Sequence, residues 1–234
     1  MANFSSSPGV KLNEIDNSFV TPTPVSVGAA IIGPTVKGPV ELPTIVTSYS
    51  DFKDKFGGAL TSASNSYSYL TSISAYNYFT EGGESLLVAR VTSGSFTAAS
   101  SSVVFAGISP PTTASIVFET LSKGVINNNI GDFDSDGILT NGTVDNIKYE
   151  ITGANTSSGT FNVLVRQGND KNSDKIILET FNKVSLDPNQ SNFISKVIGD
   201  QVVEYDSGTN QIDITSGEFA NASRYIRVKS IPNL

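Results

Sequence analysis

The order of apolar and polar positions predicts a strand–strand–helix–strand segment in the first part of the chain. Continuous apolar runs predict buried strands at residues 25–33 and 85–91, with a shorter strand at 42–47. A short helix is expected over residues 51–56, with Ser50 as its N-cap. A second, amphipathic helix is predicted by apolar residues at three-residue steps, which are Tyr67, Leu70, Ile73, Tyr76 and Phe79. We therefore expect a small α/β unit over residues 25–95.

The pattern changes at about residue 96 to short alternating runs among Ser, Thr, Gly and Asn. Strands are predicted at residues 115–118, 146–151, 161–166, 175–181, 211–214 and 224–229. The polar loop 167–174 joins two of them, most simply as a hairpin. Beyond an Asp187-Pro188 turn, apolar residues at helical spacing predict one short helix within Phe193–Gly199. We expect a β-rich domain over residues 96–234 and an α+β fold class for the whole chain.

Residues 1–24 are polar and interrupted by Pro8, Pro22 and Pro24, which predicts an extended N-terminal arm. Val10-Lys11-Leu12 alternates like a short strand, but no turn follows that would fold it back on its own chain. Two interpretations are compatible with this pattern. The segment is either a disordered tail or an arm that donates a strand to the sheet edge of a neighbouring subunit.

Composition removes most catalytic chemistries. The chain has 234 residues with no cysteine and no histidine, so a thiolate nucleophile, a Ser–His dyad and a His-ligated metal are all excluded. A net charge of −7, from 15 basic and 22 acidic residues, repels nucleic acid and anionic membranes. No apolar run approaches the roughly 20 residues that span a bilayer, and we expect no signal peptide. We predict no enzyme activity, no cofactor, no nucleic-acid partner and no membrane partner.

The segment Asp132-Phe133-Asp134-Ser135-Asp136-Gly137 is the best chemical motif. Carboxylates at alternate positions before a glycine resemble the first half of a calcium-binding loop, which makes Asp132, Asp134 and Asp136 the candidate metal ligands. The second half differs, because Thr143 stands where a bidentate Glu is expected, although Asp145 could substitute. An acidic, solvated turn is the alternative.

Arg90 ends the apolar strand of residues 85–91. Its charge is expected either to pair with a carboxylate of the same chain or to contact another subunit.

Five segments, in the same order from Ser7 to Ile198, resemble the sheath proteins of contractile phage tails. Their common order carries the resemblance, since each one is short. They are Ser7-Pro8-Gly9-Val10 with the acidic Glu14, the strand running into Gly33-Pro34 and Gly38-Pro39, the pair Phe56-Gly57, the aromatic helix leading through Gly82-Gly83 to Arg90-Val91, and Glu179-Thr180-Phe181 through Val184-Ser185-Leu186-Asp187-Pro188 to Ile198.

The resemblance implies a structural subunit that stacks in hexameric rings around a tail tube and contracts to drive the tube through the host envelope. Its partners would be other sheath subunits, the tail tube protein, and the baseplate and tail terminator proteins. The assembly would take place in the host cytoplasm, and the product would be part of the virion. The resemblance also implies that arms link neighbouring subunits, with Pro8, Gly9, Val10, Lys11, Leu12 and Glu14 as the expected interface residues.

One departure from the family concerns length. Sheath proteins of this family are usually much longer, so we expect the chain to be a fragment or an unusually short member. The alternative function is a calcium-dependent, β-rich adhesin or receptor-binding domain, which the Asp-rich loop and the Ser/Thr/Asn-rich strands suggest.

Overall fold

The computed structural model of the protein describes residues 28–62, 65–104, 115–124, 132–140 and 142–231. Among the described residues, strands account for 44% and helices for only 13%, and the strands form several small sheets. The expected α+β fold class is therefore wrong, and the fold is β-rich. The physical reason is that the helices are short, while strands that the sequence pattern did not predict add to the sheets.

A two-layer unit comes first in the described chain. In chain order its elements are β1 (Ala29–Gly33), β2 (Thr44–Val46), α1 (Tyr49–Phe56), β3 (Leu60–Ser62), β4 (Asn65–Tyr67), α2 (Leu70–Thr80) and β5 (Leu86–Arg90). β5 lies in the middle of a three-stranded sheet, parallel to β1 and antiparallel to β2. β3 and β4 form an antiparallel pair that was not predicted. Both helices pack on one face of the three-stranded sheet, around a buried cluster of Val46, Phe52, Phe56, Ala75, Leu86 and Val88.

Helix α1 begins two residues earlier than predicted. The side chain of Ser48 accepts a hydrogen bond from the backbone amide of Asp51 at 3.1 Å, so Ser48 is the N-cap and Ser50 lies inside the helix. Phe52 and Phe56 follow one turn apart, and both are completely buried. Their burial fastens the helix to the sheet.

Helix α2 is confirmed over Leu70–Thr80, but Tyr67 lies in β4. Of the other predicted apolar residues, Phe79 packs against the buried cluster, whereas the remaining three are exposed. Leu70, Ile73 and Tyr76 are 78%, 44% and 50% exposed, respectively. The buried residues are instead Thr71, Ser72 and Ala75. Small side chains let the helix approach the sheet closely, and Thr71 occupies the space that a Cβ at position 33 would need. Packing against a glycine in β1 thus decided which face of the helix is buried.

The remaining described residues form three further sheets. Their elements are β6 (Ala98–Val104), β7 (Ser115–Lys123), β8 (Ile147–Asn155), β9 (Thr160–Gln167), β10 (Ile177–Ser185), α3 (Ile194–Ile198), β11 (Val202–Asp206), β12 (Gln211–Ser216) and β13 (Ile226–Ser230). The sheet orders are β13-β7-β6, β10-β9-β8 and β11-β12. The predicted hairpin between β9 and β10 is confirmed by their antiparallel pairing.

A second hydrophobic core lies between the sheets of this β-rich part. It contains Ile116, Phe118, Phe161, Val163, Val165, Val184, Phe193, Ile194, Ile198, Ile226 and Val228. Strand β10 continues to Ser185, so the predicted end of the strand at Phe181 is wrong. The turn begins after it, where the Asp187 carboxylate accepts a hydrogen bond from the Asn189 amide at 2.9 Å. α3 then packs against β10 and β13.

None of the helices in the described ranges is long and apolar enough to cross a membrane.

Candidate assembly surfaces and predicted sites

The predicted arm contacts lie outside the described residues. These residues are Pro8, Gly9, Val10, Lys11, Leu12 and Glu14, and the description begins only at Gly28. Strand donation by this segment therefore stays a prediction. The structure does describe the strand that follows the arm, and β1 lies at an edge of its sheet.

The Asp-rich loop is closed by its own hydrogen bonds. Oδ1 of Asp134 accepts from the backbone amides of Asp136 and Ile138, at 2.9 Å and 2.8 Å. The Asp136 carboxylate lies 3.8 Å from the Lys171 ammonium, and the Asp132 side chain is exposed. Across the described ranges, no group of three or more His, Cys, Asp or Glu side chains is placed to hold a metal ion. The loop is therefore able to turn without a bound ion.

Asp145, the substitute calcium ligand, contacts the two-layer unit instead. Its Oδ1 lies 3.5 Å from Nζ of Lys37, and both side chains are nearly buried. Burial raises the pKa of Asp145, while the Lys37 ammonium opposes this effect. Thr143, at the twelfth loop position, accepts a hydrogen bond from the Asp145 amide at 3.2 Å. This ion pair joins residues on the two sides of the predicted domain boundary.

Arg90 lies at another contact between the same two parts of the chain. Its Nη1 donates hydrogen bonds to the carbonyl oxygens of Gly38 and Lys123, at 2.6 Å and 2.5 Å. Nε is buried without a hydrogen-bond partner among the described residues. Burial lowers the pKa of Arg90, and Tyr69 opposes this effect. These contacts make Arg90 a link within one chain, rather than the carboxylate pair or subunit contact that its position in the sequence suggested.

Several residues that carry the family resemblance meet around this link. Gly38 has a φ of +112°, and a Cβ there would lie 2.6 Å from Cδ1 of Phe56. Gly57 has a φ of +76°, and a Cβ there would lie 2.7 Å from Cβ of Val36. Both positions therefore require glycine for conformation and for space. The two glycine motifs pack against each other, and Arg90 binds one of them from β5.

A buried group of charged side chains was missed by the sequence analysis. The Asp170 carboxylate is completely buried and accepts hydrogen bonds from Nε and Nη2 of Arg166, at 2.9 Å and 2.7 Å. It also lies 2.6 Å from Nζ of Lys148. Nη1 of Arg166 donates to Glu150 at 2.8 Å, and Lys175 donates to the same carboxylate at 2.8 Å. We call these five residues the Asp170 network.

The strands contain a signal that could have revealed this network. Tyr149 packs toward the core, so Lys148 and Glu150 share the other face of β8. Lys148 is directly opposite Arg166 in the strand register. Two like charges in that position repel each other, so a carboxylate between them is needed. It comes from Asp170, in a loop that the sequence analysis treated only as a polar connection.

The network changes the acidity of its carboxyl groups. Burial opposes ionisation of Asp170, but hydrogen bonds from Arg166, Lys148 and the Ile176 amide outweigh burial and hold its pKa below the usual value. The hydrogen bond from Lys175 is the main reason that the pKa of Glu150 is also lowered. Both groups therefore favour the ionised form in the folded protein.

The two-layer unit leaves two apolar surfaces exposed. Leu86 and Val88 of β5 face the helices, so the alternate residues of the sheet face away from them. We call the surface that faces away from the helices the open sheet face. It consists of Ala30, Ile32, Ile45, Leu87 and Ala89, together with Val91, which follows β5 and donates its amide to the Gly33 carbonyl. Ile32 is 72% exposed. The second surface is formed by Leu70, Ile73 and Tyr76 and is called the α2 ridge.

Comparison with known proteins does not assign the chain to a family. No family model matches the sequence, and a search of curated proteins finds no match either. The function is therefore argued from the residues of the chain itself.

Proposed function

We propose that the chain is a structural subunit of a contractile phage tail sheath, which assembles in stacked hexameric rings around a tail tube. The observation that carries this proposal is the ordered set of five motifs, three of which pack together. Gly38-Pro39, Phe56-Gly57 and Arg90 lie apart in the sequence but are in contact through the Arg90 link and the Phe56 ring. Their packing gives these three motifs a common structural role, which supports the proposal.

The internal links of the chain also suit a subunit that moves as a rigid body. Arg90 binds the Lys123 carbonyl across the predicted domain boundary, and Lys37 pairs with Asp145 nearby. The Gly38 amide further donates to the Ser122 hydroxyl at 2.7 Å. Contraction of a sheath moves subunits relative to their neighbours, so force must pass between the parts of each subunit without separating them.

The arm supplies the connection between subunits in this proposal. An extended segment that carries Val10-Lys11-Leu12 adds a strand to an open sheet edge of the next subunit through main-chain hydrogen bonds. Repetition of one such heterologous contact generates rings or a helix. The further partners would be the tail tube protein and the baseplate and tail terminator proteins.

Removal of the arm tests this function directly. We expect the full chain to form six-fold tubes in electron micrographs, and deletion of residues 1–20 to abolish them while the circular dichroism spectrum stays folded. Val10→Asp with Leu12→Asp should have the same effect, because the donated strand would lose both apolar contacts. Ser5→Asp with Ser6→Asp adds the same charge outside the Ser7–Val10 motif and should still form tubes.

Two outcomes would contradict the proposal at different levels. Normal tubes from the truncated chain would show that the arm is not needed for assembly. A full chain that never forms six-fold tubes, at any salt concentration or together with a tail tube protein, would remove the sheath assignment itself.

A further inference from the structure

The open sheet face of the two-layer unit is apolar, and no described helix packs on it. All six of its residues are apolar, and Ile32 and Val91 are 72% and 41% exposed. Sheets built only of parallel strands normally have both faces covered. This sheet combines one parallel and one antiparallel pair, and the described helices cover one of its faces. A further layer that packs against Ile32 would complete this architecture.

The α2 ridge lies on the opposite side of the same unit. Thr71, Ser72 and Ala75 face the sheet, so Leu70 and Ile73 point away from it. The unit thus has an apolar sheet surface on one side and an apolar helix surface on the other. Since these surfaces are on opposite sides of two layers, they cannot cover each other within one copy.

We propose that the α2 ridge of one copy packs on the open sheet face of the next copy. The contact is heterologous and cannot be completed by two copies, so further copies add through it to form a ring or a helix. It involves only residues 30–91, and it does not depend on the family resemblance or on the arm.

The dimensions of the two surfaces match. β1 and β5 each have five residues, which gives a length of about 17 Å, and three strands are about 14 Å wide. Helix α2 has 11 residues and is therefore about 16 Å long and about 10 Å across. A single contact of this size belongs to the small interfaces, below about 1,200 Å² in total. Pairs are expected to be weak, and growth repeats this same weak contact, so association should depend strongly on protein concentration.

Charge favours the same pairing. The chain carries a net charge of −7, so most contacts between two copies are opposed by repulsion. Helix α2 contains no charged residue, and the open sheet face contains none either. These two surfaces can therefore approach each other without burying an unpaired charge.

A mixing experiment tests the proposal with Ile32→Asp on the sheet and Leu70→Asp on the helix. Both positions are mostly exposed, so the variants should fold, which circular dichroism and thermal melting would verify. Ile177→Asp is the matched control, because Ile177 is a 49% exposed isoleucine on β10. Sedimentation velocity then measures association over a range of concentrations.

We expect the wild type and Ile177→Asp to grow beyond dimers as concentration increases. Ile32→Asp alone and Leu70→Asp alone should stay monomeric, because their self-association should be at least about tenfold weaker than that of the wild type. An equimolar mixture of Ile32→Asp and Leu70→Asp should form dimers that do not grow, since each partner retains the surface that the other lacks. The same dimers should form when both variants lack residues 1–20, which separates this contact from the arm.

Other results would overturn the proposal. Self-association of Leu70→Asp alone would mean that two sheet faces pair with each other. A wild type that stays monomeric, but associates after deletion of residues 1–20, would mean that the arm covers the sheet of its own chain. A mixture that stays monomeric would show that the two surfaces do not bind each other.

Discussion

Asp170→Asn should destabilise the protein strongly, because it removes a completely buried negative charge that neutralises two buried cations. The Arg166 and Lys148 side chains are only 4% and 6% exposed. Breaking a buried ion pair from one side typically costs about 3–5 kcal/mol. Glu150 still binds Arg166, and two carbonyl oxygens still accept from Lys148, at Gly137 and at position 170 itself. We therefore expect the free energy of unfolding to fall by an amount at the low end of this range, about 3 kcal/mol.

Urea denaturation followed by far-UV circular dichroism measures this loss. With a slope of about 2 kcal/mol/M, the midpoint should fall by about 1.5 M. Asp174→Asn is the matched control, since Asp174 is exposed in the same loop, and its effect should stay within about 0.5 kcal/mol. If the free energy of unfolding of Asp170→Asn falls by less than about 1 kcal/mol, or by no more than that of the control, the stabilising role of the Asp170 network is refuted.

The wild type and Asp170→Asn also allow a test of how the contribution of Asp170 to stability depends on pH. The pKa of Asp170 is lower in the folded protein than its usual value, so its contribution to stability is fully present above the unfolded pKa of about 3.9 and is lost as the pH falls through the folded pKa. The difference in urea midpoint between wild type and Asp170→Asn should therefore narrow below about pH 4. A difference that stays constant or widens in acid would contradict the assigned direction of the pKa shift.

Two further predictions concern the turn glycine and the Asp-rich loop. Gly38→Ala should lower the free energy of unfolding, measured by urea denaturation, by about 1 kcal/mol more than Gly94→Ala does. Both glycines have a positive φ, but only a Cβ at position 38 would contact Phe56. Equal losses in the two variants would show that the contact with the Phe56 ring is unimportant. Calorimetric titration with millimolar calcium should give no saturable heat, since Oδ1 of Asp134 already accepts two amide hydrogen bonds. Calcium binding by the wild type that disappears in Asp134→Asn would instead support the adhesin alternative.

The sequence pattern located most strands, since apolar runs and alternation depend on the chain alone. It could not decide which side of α2 is buried. Leu70 and Ile73 seemed to mark the inner face, but a helix that packs on Gly33 needs small side chains there, and Thr71 and Ala75 provide them. That choice depends on a strand almost 40 residues earlier in the sequence, which local periodicity does not detect.

The candidate sites show the same limit. Asp132, Asp134 and Asp136 were recognised by their spacing, yet what the loop does depends on which backbone amides fold back onto Asp134. Asp170 was overlooked because its loop is polar in sequence. Only the pairing of Lys148 with Arg166 across two strands creates the need for a buried carboxylate. Such a need becomes visible when the strand register is known.

The Arg90 link has a consequence for sequence variation. Its acceptors at Gly38 and Lys123 are main-chain oxygens, which every amino acid provides. The side chain at position 123 points instead to Glu204, 3.6 Å away, and takes no part in the link. The side chain at position 123 could therefore change without loss of the Arg90 link, whereas Ser122 and Asp145 hold the two-layer unit through their side chains and are expected to vary less.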